Sequence, residues 1–248
     1  MLYAFNPSFL ALIIVSTLLG IATRSYINFA FRKWSEVPLR SGLTGAQVAQ
    51  KVLATNGIRT DGALVGQQSG PGAPPYVRIQ AIGGKLSDNY DPREKTLNLS
   101  EAVFASSSVA AAGVAAHEAG HAVQDAQGYV WGRLRTSLVP AASLGSSAGI
   151  WLVILGALLF RSLPLGYDMA MLGVILFGCA VLFQVVTLPV ELDASRRALV
   201  TLEGTGTLDP EQLAGARQVL RAAALTYVAA ALIAALQFLY YLGFLRRS

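Results

Sequence analysis

The chain has 248 residues, of which 54% are hydrophobic and only 13% charged; that is too little polar surface to clothe a soluble globule of this size, so a membrane is the expected solvent for much of it. Its net charge of +5 does not point to nucleic acid, because the Lys and Arg residues gather beside apolar segments instead of forming a basic stripe interleaved with aromatics. The single cysteine, Cys179, lies in an apolar run, which excludes an intrachain disulfide and a thiolate cluster and leaves His, Asp and Glu to hold any metal.

The first element is an apolar stretch from Tyr3 to Ala22. No Lys or Arg precedes it and no convincing cleavage site follows, so it reads as a retained anchor and not as a signal peptide. Residues 25–137 form a polar-to-mixed region. It opens with a helix over Thr44–Thr55, started by a capping box of Thr44 and Gln47 and stopped by Asn56-Gly57. Gly66 to Pro75 reads as loop, Tyr76–Ile82 and Thr96–Leu99 as short strands, with Asp91-Pro92 marking a turn between them. The second strand is also a candidate for binding an extended substrate by strand addition, although an ordinary sheet strand is the simpler reading. Further apolar stretches run from Leu138 to Phe160, Met169 to Val190 and Ala222 to Leu245, each near or above the ~20 residues that cross a bilayer. Asp209-Pro210-Glu211-Gln212 starts a helix, and no breaker follows before the last stretch, so one long helix is expected there.

Arg24, Arg32 and Lys33 follow the first stretch, Arg133 and Arg135 precede the second, and Arg196, Arg197, Arg217 and Arg221 lie between the third and fourth. The positive-inside rule therefore puts these two connections in the cytoplasm. The turn between the second and third stretches, with only Arg161 and Asp168, fits the outer side; Arg246 and Arg247 are outvoted.

The chemical centre is His117-Glu118-Ala119-Gly120-His121, which fits H-E-x-x-H inside an Ala-rich sequence expected to be helical. Four residues advance a helix by ~400°, so both imidazoles project from one face and can share one ion, while Glu118 is ~100° around the cylinder. A carboxylate there reaches water on a zinc ion without binding the metal and can take its proton. The chain has two histidines, and both are in this motif. A catalytic zinc needs a third protein ligand, which must then be a carboxylate. Glu191 is the candidate, because the two intervening stretches form a hairpin that returns it to the side of His117 and His121. Asp193 is the rival; a helix separates the two by ~200°, so only one of them faces the ion. Asp125, one turn beyond His121, is a candidate for orienting a ligand, or is simply solvated. With no further His, an oxyanion-stabilising side chain would have to be one such as Tyr90, Asn89 or Arg196.

Val114-Ala115-Ala116-His117-Glu118-Ala119-Gly120-His121-Ala122, together with Ser41-Gly42-Leu43-Thr44-Gly45-Ala46, Leu86-Ser87-Asp88-Asn89-Tyr90-Asp91-Pro92-Arg93 and Thr187-Leu188-Pro189-Val190-Glu191, resembles the YugP-type bacterial membrane zinc metallopeptidases. The resemblance covers nearly the whole chain. It departs at Asn89, where the family pattern often carries a His. It implies a bacterial cell-membrane enzyme laid out like the HtpX and CAAX prenyl protease group, in which a Glu after a membrane hairpin completes the zinc site, and so favours Glu191 over Asp193.

The expected fold is mainly α: about four membrane helices and a cytoplasmic α+β zincin-like region with a short β-sheet. Its expected parts are a first membrane helix (1–24), the zincin-like region with the H-E-x-x-H helix (25–137), a membrane hairpin (138–190), a cytoplasmic segment with the third ligand (191–221) and a last membrane helix with its tail (222–248). The expected function is that of a membrane-bound endopeptidase with one Zn2+ per chain, held by His117, His121 and Glu191, with Glu118 catalytic. Its expected partners are the lipid bilayer and a protein or peptide substrate near the cytoplasmic face, and not nucleic acid. Two other functions compete: a non-catalytic scaffold or chaperone that keeps a structural metal, and a site-2-type intramembrane protease, for which the apolar run Ser108–Val123 and Leu192-Asp193-Ala194 speak. A transporter is disfavoured, because beyond Gln184, Gln237 and scattered Ser the apolar stretches carry little to bind a solute.

Overall fold

The structure, a computed structural model, describes residues 7–60, 75–84, 87–159 and 165–246. The start of the first apolar stretch, almost all of the expected Gly66–Pro75 loop, Leu86, the end of the second stretch with Arg161, and Arg247 lie outside the described residues. In chain order the elements are α1 (Pro7–Ser35), α2 (Gly45–Thr55), β1 (Arg59–Thr60), β2 (Tyr76–Ile82), β3 (Asn89–Asp91), β4 (Thr96–Ser100), α3 (Glu101–Phe104), α4 (Val109–Ala126), α5 (Val130–Leu144), a π-helical turn (Gly145–Gly149), α6 (Ile150–Leu159), α7 (Leu165–Gly204) and α8 (Pro210–Arg246). The chain divides into two compact units, one made of Met1–Arg24, Arg133–Pro189 and Leu225–Ser248, the other of Ser25–Gly132 and Val190–Ala224.

The first unit is helical. Among the described residues, four helical runs, Pro7–Ser35, Val130–Leu159, Leu165–Gly204 and Pro210–Arg246, are long and apolar enough to cross a membrane. The second run begins already at Val130, ahead of the expected Leu138, because helix continues through residues too polar to count as span. Small residues let the two arms of the hairpin approach backbone to backbone. A Cβ added at Gly145 would come within 2.1 Å of the Leu176 carbonyl oxygen, and one at Gly156 within 2.7 Å of that of Gly166. Leu18, Trp151, Leu158 and Ile175 lie open on the outer faces, as side chains meant for lipid do.

In the second unit a four-stranded sheet has the order β1-β2-β4-β3. β2 pairs parallel with both β1 and β4, whereas β3 pairs antiparallel with β4. The Asp91-Pro92 turn thus joins β3 to β4 and does not link the two strands foreseen; the Asp91 carboxylate accepts from the amides of Arg93 and Glu94 to form it. β4 is bonded on both sides, so it has no free edge to receive a substrate strand. The expected capping box of α2 is present, with Gln47 N donating to Thr44 Oγ1 and Thr44 N to Gln47 Oε1, and Gly57 ends the helix with a φ of 72°. One core joins Val48, Val52 and Leu53 of α2, Leu97 and Leu99 of β4, Ala112, Ala115, Ala116 and Ala119 among the alanines of α4, Leu202 of α7 and Ala216 and Leu220 of α8. α4 is thus buried along most of its length, which its run of alanines permits.

Candidate metal centre

α4 starts where Ser108 Oγ accepts from the Ala111 amide at 3.2 Å, an N-cap that fixes the helix phase ahead of His117. Gly120 then brings α4 against α7: a Cβ at this position would lie 2.7 Å from the Ala194 carbonyl oxygen. That close approach places Glu191, 2% exposed, opposite His117, 8% exposed.

His117, His121 and Glu191 each offer a ligand atom, all within 4.8 Å of one another. Glu191 Oε2 is 3.2 Å from His117 Nε2 and 3.5 Å from His121 Nε2. Ligands on a tetrahedral zinc with bonds of about 2.0–2.1 Å lie about 3.3 Å apart, and the two separations bracket that value.

The protonation of His121 follows from Gln124. Its amide NH2 donates to the Val190 carbonyl oxygen at 2.8 Å and to Asp193 Oδ2 at 2.9 Å, and both partners are acceptors only. The Gln124 oxygen therefore faces His121 Nδ1 at 3.1 Å, and that ring nitrogen must carry the proton. With Nδ1 donating to Gln124, Nε2 is the nitrogen of His121 turned to the Glu191 carboxylate, where it can hold a cation in place of a proton. On the other imidazole, His117 Nδ1 meets Ser195 Oγ at 3.1 Å, which likewise leaves Nε2 on the Glu191 side. The donor set thus fits a cation such as zinc, with the second ring nitrogens of both imidazoles held from outside, as metal-ligating histidines generally are.

Glu118 is half-buried on the same helix. Burial raises its carboxyl pKa above the ordinary value against the opposing pull of His117 and His121, while Glu191 and Asp88 add to the rise. Asp88 is itself anchored, accepting from the Ser100 amide at 2.7 Å and from its hydroxyl.

The carboxylate weighed against Glu191 is held elsewhere: Asp193 accepts from Gln124, Arg196 and Arg197, and Arg197 also lies 5.6 Å from the Tyr129 ring centre. Asp125 takes a bond of 2.6 Å from Tyr90 Oη and another of 2.6 Å from Lys95 Nζ, so it ties β3 and the β3–β4 turn to α4, and Gln124 holds His121 instead. Burial and that bond to Asp125 keep the Tyr90 hydroxyl protonated by raising its pKa. Of the residues named for oxyanion binding, Tyr90 and Arg196 are engaged with Asp125 and Asp193. Sequence reasoning did not single out Gln124 or Ser195. The one signal available was helical phase, since Gln124 is seven residues after His117 and Ser195 four after Glu191.

Comparison with known proteins agrees with this geometry. The family model described as "Putative neutral zinc metallopeptidase" matches residues 9–246. The chain is 36% identical over 231 residues to "Putative membrane protease YugP" of Bacillus subtilis (strain 168), covering 93% of each chain. No solved structure matches. The chain therefore belongs to this neutral zinc metallopeptidase family, as a multi-pass protein of the bacterial membrane.

Proposed function

We propose that the protein is a zinc-dependent endopeptidase that hydrolyses peptide bonds of protein substrates near the cytoplasmic face of the membrane, with His117, His121 and Glu191 holding one zinc ion and Glu118 as the catalytic base. The observation that carries the reading is the convergence of His117, His121 and the buried Glu191 carboxylate at the spacing of zinc ligands, with 3.2 and 3.5 Å between the facing atoms and Gln124 holding His121 Nδ1 from outside. When bound, zinc would supply Lewis-acid polarisation of the scissile carbonyl and of the attacking water. Glu118, its basicity raised by burial, accepts the water's proton on its carboxylate and returns it to the departing amine. Ser195 and Gln124 hold the imidazoles in place while the proton moves. The cytoplasmic placement rests on the basic residues that flank the apolar stretches, Arg196 and Arg197 beside the third ligand among them.

The test compares zinc content and casein cleavage for purified wild type, Glu118→Gln, Glu191→Ala and Asp193→Ala. Glu118→Gln should keep zinc and lose cleavage, Glu191→Ala should lose zinc, and Asp193→Ala should retain more zinc than Glu191→Ala. Zinc retained by Glu191→Ala refutes the third ligand. Equal cleavage by Glu118→Gln refutes the base and leaves a metal-holding scaffold as the better account.

A further inference from the structure

Within the second unit, away from the metal-binding side chains, α1, the end of α7 and the start of α8 enclose a groove of about 680 Å³ lined by Tyr26, Glu203, Leu213, Arg217, Gln218 and Arg221, among others. Arg217 and Arg221 are exposed, one helical turn apart on α8, and among the described residues neither forms an ion pair. Gln218 accepts from Trp34 Nε1 at 2.8 Å, which commits its amide oxygen and leaves its NH2 group as a donor. The groove therefore offers two guanidinium groups, an amide NH2 and the Tyr26 hydroxyl, a donor set suited to phosphate oxygens.

The position of these groups along their helices says which phosphate. At ~1.5 Å per residue, Arg221 and Arg217 are about 1.5 and 7.5 Å before the apolar stretch that opens at Ala222, and Tyr26 is about 6 Å past the one that closes at Ala22. The headgroup layer on each side of a bilayer is about 5–8 Å deep, so groups from two separate helices fall within it. The lining also includes one carboxylate, Glu203 near the end of α7, against the two arginines of α8. We infer that this groove binds the headgroup of an anionic phospholipid, with Arg217 and Arg221 on the phosphodiester. The site is independent of zinc binding and of cleavage.

The experiment is native mass spectrometry of the full-length protein released from mixed micelles with equal phosphatidylglycerol and phosphatidylcholine. Wild type should retain phosphatidylglycerol in preference. At about fivefold for each arginine near a membrane surface, Arg217→Gln/Arg221→Gln should retain roughly 30-fold less, while the charge-matched Arg133→Gln/Arg135→Gln protein keeps its lipid. Ala214→Trp, which fills the groove without altering charge, should also lose the lipid, and it serves as the test should the double variant misfold. Undiminished retention in Ala214→Trp, or an equal loss in the Arg133/Arg135 control, overturns the inference. Displacement of the lipid by millimolar glycerol 3-phosphate, which then stays bound, would identify a soluble phosphate compound as the ligand and overturn the lipid assignment.

Discussion

Gln124→Leu should weaken zinc binding far more than its distance from the reacting groups implies. In the wild type one amide meets three partners: His121 Nδ1 at 3.1 Å, the Val190 carbonyl at 2.8 Å and Asp193 at 2.9 Å. Leucine has nearly the same volume but no polar atom, so His121 becomes free to place its proton on Nε2 and to turn. Removing an outer partner of a ligating histidine costs about 10–100-fold in metal affinity, or about 1.4–2.8 kcal/mol. Here the upper end applies, because Gln124 also braces α7 on both sides of Glu191 and so steadies two of the three ligands. Titration of apoprotein against a fluorescent zinc chelator measures the change, with thermal melting of the apoprotein as the check on folding. Gln124→Glu separates the two contributions: it keeps an acceptor for His121 but sets a carboxylate against Asp193 and the Val190 carbonyl, so its apoprotein should melt lower than that of Gln124→Leu. A zinc Kd for Gln124→Leu within about threefold of wild type would refute the assignment of the His121 proton, since the loss of such a partner should exceed that.

Glu118 has a folded-state pKa above its unfolded value, so folding favours its protonated form and the buried charge costs stability at every pH above the carboxylate range. Zinc-free Glu118→Gln should therefore melt higher than zinc-free wild type at neutral pH, with the gap narrowing as the pH falls through the raised folded-state pKa and closed once it is below the unfolded-state pKa; a gap constant with pH would contradict this. Gly120→Ala forces a methyl to 2.7 Å from the Ala194 carbonyl and should cost about 1–3 kcal/mol together with part of the zinc affinity, both read from one metal-titrated melt. Gly113→Ala on the same helix meets Ala216 Cβ at an ordinary 3.4 Å, so it should be neutral or stabilise by about 0.5–1 kcal/mol through its helix propensity. Tyr90→Phe removes the 2.6 Å bond to Asp125, which Lys95 still holds, and should cost about 1 kcal/mol in chemical denaturation.

Local signals carried well from sequence to structure. The capping box at Thr44 and Gln47, the strand Tyr76–Ile82 and the Asp209-Pro210 start of α8 each depend on residues within a few positions of one another, and each recurs where expected. Pairing did not carry, because strand partners are set by packing against α2 and α4 and not by the strands themselves. That is why the parallel partnership of β2 with β4 and the existence of the short strands β1 and β3 were not legible.

The metal centre divides in the same way. His117 and His121 are four residues apart on one helix, so their convergence is a property of the helix alone. Bringing Glu191 to them took an economy argument, two histidines and no usable cysteine, joined to the return of a hairpin. The choice of Glu191 over Asp193 is physical only in three dimensions. Both acids are on α7 two residues apart, and what separates them is that Gln124, Arg196 and Arg197 converge on Asp193, whereas Glu191 is met by the two imidazoles. Gln124 enters both halves of that sorting, binding the acid that is turned away and orienting the histidine that receives the other. A residue with such a role has no motif of its own. Its meaning depends on a carbonyl and a carboxylate more than sixty positions away, and only the approach of α4 to α7 at Gly120 brings them within its reach.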